Sequence, residues 1–187
     1  MRILWSLLLA LMVGLLWASV VQAGEEPPAT PRYAAGVLAG SSYDPHRKIQ
    51  FAQLNLAALF DDDPVFPHQA PEYLRFKVEA NLGLVDWPQL RAMVSGNIFA
   101  QAYLGNRSAA GYRPYVEGGI GLIFTDFQVD GQGLRINFNP QFGCGIDRLG
   151  ADGGWFAGLR LHHISNGHLY HDNRGINSWA LVTGRYF

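Results

Sequence analysis

The sequence predicts an all-β protein, an eight-stranded antiparallel up-and-down transmembrane β-barrel. Three observations carry this expectation. Hydropathy alternates with a period of two from Tyr33 to the C-terminus, the alternating segments number eight, and nothing after Ala23 is apolar for long enough to cross a bilayer as a helix. A chain that lives in a membrane without helices must close its sheet, because an open edge in lipid leaves backbone groups without partners.

The N-terminus comes first. Arg2 precedes an apolar run from Ile3 to Val21, and Val21-Gln22-Ala23 ends it with small residues where a signal peptidase reads, before the polar switch at Gly24-Glu25-Glu26-Pro27-Pro28. Residues 1–23 therefore read as a secretory signal peptide, and residues 24–187 as one outer-membrane β-barrel domain. The eight segments follow at about 33–41, 47–60, 73–84, 91–104, 113–125, 134–147, 155–165 and 178–187. Most exceed the usual strand of soluble proteins and suit a tilted crossing of roughly 9–11 residues. Turn-forming clusters separate them: Ser41 to His46, Asp61 to Pro71, Asp86-Trp87-Pro88, Gly105 to Gly111, Asp130 to Gly133, Asp147 to Gly154 and Gly167 to Gly175. Asp61-Asp62-Asp63 in the second cluster, followed by Pro64, reads as a solvated turn and not as a calcium site.

The third segment decides which face is outside. Leu74, Phe76, Val78, Ala80, Leu82 and Leu84 alternate with Tyr73, Arg75, Lys77, Glu79, Asn81 and Gly83. A basic residue on the lipid face costs about 2–4 kcal/mol at the bilayer midplane, so the charged phase belongs in the lumen, which eight strands leave just wide enough for side chains to fill. A soluble, lipocalin-like periplasmic binder would reverse these faces and is the alternative fold. Trp155, Trp179, Tyr103, Tyr115 and Tyr186 lie near strand ends, as an interfacial girdle would. Phe187, in phase with Trp179 and Leu181, resembles the C-terminal aromatic signal of bacterial outer-membrane barrels, although Thr183 and Arg185 share that phase.

Composition narrows the partners. A formal net charge of −1 with no local Lys/Arg cluster argues against a nucleic-acid binder. Cys144 is the single cysteine, so no internal disulfide forms, and it reads as a small lipid-facing or packing residue.

The chemistry-bearing pattern is His163-Ile164-Ser165-Asn166, followed by Asn173-Arg174-Gly175-Ile176-Asn177. Residues two apart on a strand share a face, so the Ser165 hydroxyl and the His163 imidazole stand together as a nucleophile and its base require. Both continue the lipid phase of Trp155, Ala157, Leu159 and Leu161. If the chain starts on the periplasmic side, they reach the outer leaflet. An interfacial polar pair of purely structural or adhesive significance is the competing reading, because polar groups cost only about 0–1 kcal/mol near the headgroups.

In His163-x-Ser165-Asn166, Asn173-x-Gly175-Ile176 and the terminal strand the sequence resembles the PagL family of lipid A 3-O-deacylases, eight-stranded outer-membrane barrels that remove an ester-linked acyl chain from lipopolysaccharide. The resemblance implies a serine esterase with Ser165 as nucleophile, His163 as general base, Asn173 in the oxyanion hole and Asn166 as its helper. It implies lipid A or lipopolysaccharide as substrate, outer-membrane lipids as surroundings and no cofactor, and it leaves a homodimer open. The chain departs from the family at Asn177, where the pattern has a glutamate as third member. An asparagine can still accept from the imidazole, as in Cys-His-Asn proteases, but brings no charge. Asp172 in the neighbouring loop is a second source of one. His162, His163, His168 and His171 with Asp172 match no zinc spacing, and His162 should point inward while His163 points outward, so no metal is expected.

Overall fold

The computed structural model describes residues 31–46, 48–60, 73–105, 108, 111–150 and 153–187. The signal peptide reading and the Asp61-Asp62-Asp63 turn fall outside the described residues. Nine strand segments appear: β1 (Arg32–Asp44), β2 (Gln50–Phe60), β3 (Leu74–Asp86), β4 (Leu90–Tyr103), β5 (Tyr112–Thr125), β6 (Ile136–Phe138), β7 (Gln141–Gly150), β8 (Gly153–Ile164) and β9 (Ile176–Tyr186). β6 and β7 both pair with β5 and together make one barrel strand, so the sheet has eight staves. Each stave pairs antiparallel with its sequence neighbour, and β1 pairs with β9 to close the cylinder.

The expected sixth strand, 134–147, is thus broken at Asn139-Pro140. Proline lacks the N–H that a central strand must donate, and the ladder resumes only beyond it. Elsewhere β2 starts at Gln50, three residues later than expected, while other strands run further than the turn residues suggest. β1 continues through Asp44, inside the cluster expected to be a turn, and β9 begins at Ile176, two residues early.

Alternation sets the walls as expected. Leu54, Leu82, Ile98 and Leu122 are all more than half exposed on the outer surface, where lipid replaces water as their solvent. Cys144 is exposed on the same outer surface. Inward residues are sealed, and polar and charged side chains share the interior with an apolar cluster that includes Phe51, Val85, Met93 and Ile123. Arg160 sits at the centre with its Nη1 and Nη2 on Glu79 at 2.8 and 2.6 Å and its Nε on Glu117 at 2.6 Å. Lys77 completes a neutral set of two acids and two bases, lying 3.3 Å from Glu79 and also pairing with Glu117. This is the reverse of a lipocalin, whose lumen would be apolar, and it removes that alternative.

The aromatic girdle divides. Trp155 stacks edge-on with Tyr112 on the outside, and Trp179 is also outward. Tyr103, Tyr115 and Tyr186 are instead buried in the lumen, which corrects the expectation for them. Tyr103 and Tyr186 donate their hydroxyls to the buried Asp147, at 2.6 and 3.2 Å. Tyrosine serves either wall because its ring is apolar and its hydroxyl polar, so position near a strand end does not settle its face.

Candidate active site

The end of β8 presents alternate residues to opposite sides. His162 is buried, with Nδ1 3.1 Å from Ser178 Oγ, whereas His163 is half-exposed on the outer wall. Ser165 follows in the same outward phase, just beyond the strand, in an isolated antiparallel bridge to Phe138. The broken stave holds this segment from one side: His163 N donates to Pro140 O at 3.0 Å and Ser165 N donates to Phe138 O at 3.1 Å. The break therefore still leaves the N–H groups of His163 and Ser165 paired across it.

From the other side β9 brings Asn177 directly opposite His163 in the ladder. Asn177 Oδ1 lies 2.6 Å from His163 Nδ1, so the third residue of the sequence reading stands behind the ring. Gly175 approaches the ring closely: a Cβ there would lie 2.7 Å from His163 Cε1 and 3.3 Å from its Nε2. No hydrogen bond joins Ser165 Oγ to His163 among the described residues.

The sequence reading missed Asp44. Its Oδ2 accepts from Asn177 Nδ2 at 3.0 Å, and its Oδ1 accepts from Arg174 Nη2 at 2.7 Å. A bulge puts it there. Along the β1–β9 ladder Ser42 faces Ser178 but Asp44, not Tyr43, faces Asn177. Inward residues of β1 are even-numbered, as the buried Ala34, Leu38 and Ser42 show, and the extra residue swings Asp44 to the outer side. A strict period of two assigns it to the lumen.

The loop between β8 and β9 occupies the two remaining asparagines. Asn166 is buried; its N–H donates to Asn173 Oδ1 at 2.8 Å and its Nδ2 donates to Asp172 O at 2.7 Å. Asn173 Nδ2 meets His168 Nδ1 at 2.8 Å. The Asp172 carboxylate turns away to His171, 3.5 Å off, so the charge near Asn177 comes from Asp44. Among the described residues no three potential metal ligands converge.

Beside the imidazole runs an open groove of about 240 Å³, bordered by Tyr43, Pro140, Gln141, Phe142, Leu161, His162, His163 and Asn177. Phe142 and Leu161 are exposed lipid-facing residues, so the groove opens onto the apolar wall. With Nδ1 engaged, an imidazole offers Nε2 to exchange a proton with a nearby hydroxyl, the elementary step of acyl transfer.

An apolar outer wall, a sealed lumen centred on buried charges and closed antiparallel staves define a bacterial outer-membrane β-barrel, and here His163, Ser165 and Asn177 stand on the outward side of it. Comparison with known proteins agrees on the class. The structure of the outer membrane enzyme PagL superposes with a TM-score of 0.54 at 23% identity, covering 83% of this chain and 98% of that one. Neisserial surface protein A superposes with a TM-score of 0.58 at 14% identity, covering 83% and 94%. No curated protein sequence matches. The family model for lipid A 3-O-deacylase (PagL) matches residues 67–185, well over half of the chain, and the protein belongs to that family. It is thus a hydrolase of the bacterial outer membrane, a lipid A deacylase.

Proposed function

We propose that the protein removes the ester-linked 3-O-acyl chain of lipid A in the outer leaflet through Ser165, His163 and Asn177. The observation that supports this most is the 2.6 Å contact between His163 Nδ1 and Asn177 Oδ1, on the lipid side of the barrel and in phase with Ser165. Placement on the outer wall lets the substrate arrive by lateral diffusion. Its acyl chains stay in lipid, and the groove beside Phe142 and Leu161 takes the chain to be released.

In this reading Ser165 Oγ attacks the ester carbonyl while His163 Nε2 takes its proton. The bond between the acyl carbon and the sugar's 3-oxygen then breaks, and the imidazolium gives its proton to that oxygen, which leaves as the 3-hydroxyl. Water, deprotonated by the same nitrogen, cleaves the acyl-serine and releases a fatty acid. Rotation of Ser165 onto the imidazole accompanies substrate binding, as catalytic hydrogen bonds are often long in free enzymes. Asn173 Nδ2 carries a second hydrogen beyond the one directed at His168 and serves the oxyanion, with Asn166 clasping its Oδ1.

The test is to incubate the folded protein in detergent with purified lipopolysaccharide and weigh the lipid A by mass spectrometry. Loss of one hydroxyacyl chain is expected, and Ser165→Ala and His163→Ala should each abolish it. An unchanged spectrum from a folded barrel overturns the proposal and leaves a structural or adhesive role for the polar rim.

A further inference from the structure

We propose that Asp44 is a positioning residue for the deacylation, a fourth member behind Asn177 that restores the charge the asparagine lacks; this rests on the catalytic reading of His163 and Ser165. The starting point is the symmetry of an amide. Asn177 could present either its oxygen or its NH₂ to His163 Nδ1, and the two choices have opposite consequences. If the NH₂ faced the ring, Nδ1 would have to accept, the proton would sit on Nε2, and the base would be blocked.

Asp44 settles the choice. A carboxylate is an acceptor only, so at 3.0 Å it requires the Asn177 NH₂ on its side and leaves Oδ1 facing the ring at 2.6 Å. Nδ1 must then carry the proton, and Nε2 is the free base. The carboxylate also lies one amide away from the imidazolium that forms in the transition state, so its charge acts in the favourable sense at the distance of one intervening side chain. Two further features fit this role. The bulge between Ser42 and Asp44 brings this side chain onto the outer face, and bulges recur beside active sites because they re-aim a side chain. Arg174, 2.7 Å away, fixes the other carboxylate oxygen, leaving Oδ2 for the amide.

The roles predict a dependence on the residue at 177 that a merely structural Asp44 would not produce. In the natural background Asp44→Ala should lower kcat about tenfold or more with little change in KM, because the amide is freed to turn and the tautomer is no longer set. In the Asn177→Glu background the glutamate supplies its own charge directly to the imidazole. Asp44 then only repels it, so Asp44→Ala there should leave the rate unchanged or raise it. Arg174→Gln in the natural background controls for loss of the ion pair and should cost less than Asp44→Ala. Rates are read by mass spectrometry of lipid A, and folding by circular dichroism of each variant. Equal losses from Asp44→Ala in both backgrounds, or no loss in the natural one, overturn the proposal. If Ser165→Ala retains activity, the catalytic reading itself has failed, which is a distinct outcome.

Discussion

At the scale of single residues, the geometry around His163 concentrates the consequences of small changes. Gly175→Ala adds one methyl 2.7 Å from Cε1 of the ring, a distance that real contacts do not tolerate, while the ring is held from behind by Asn177. We expect the imidazole to be displaced, with activity falling at least tenfold and thermal stability of the barrel little changed; a 1 Å misplacement can cost about a hundredfold in rate. Activity assays beside thermal melts check this, and full activity in the alanine variant would contradict it. His163 and Ser165 were legible as candidates because period-two alternation places them on one face and a short motif marks them, and Asn177 because the resemblance to the family singles out its position. Asp44 was not, because Asp and Pro in Ser41 to His46 read as a turn and because a bulge inverts the face that parity assigns.

At the scale of elements, alternation supplied seven of the eight staves to within a few residues, since each must satisfy lipid on one side and a filled lumen on the other. The break at Asn139-Pro140 was hidden for the opposite reason. The apolar and polar phases continue across it, and only the proline signals that a ladder bond is lost. The faces themselves are testable. Ile98 lies mid-strand on the outer wall of β4, opposite Val78 and Ile120, so Ile98→Lys should destabilise the barrel by about 2–4 kcal/mol in denaturant titrations from lipid vesicles. A neutral outcome would mean that this stretch does not meet lipid.

At the scale of the whole molecule, the lumen is held by a charge-balanced core and the proposed site lies outside it, on the barrel's outer side. Removing one member of that core leaves its partners buried without compensation, so Glu117→Gln should cost about 3–5 kcal/mol by the same titration. Activity per folded molecule should persist, because the cluster lies inside the barrel and the site outside it. Tyr103, Tyr115 and Tyr186 belong to this interior, which their position near strand ends concealed. The proposed activity requires a reactive serine on the outer face of the barrel. It is tested most directly by treating the folded protein in detergent with a fluorophosphonate and locating the adduct by peptide mass spectrometry. Modification of Ser165 that disappears in His163→Ala is expected; a folded, deacylating protein with Ser165 unmodified, or equal labelling without the imidazole, would overturn the serine mechanism.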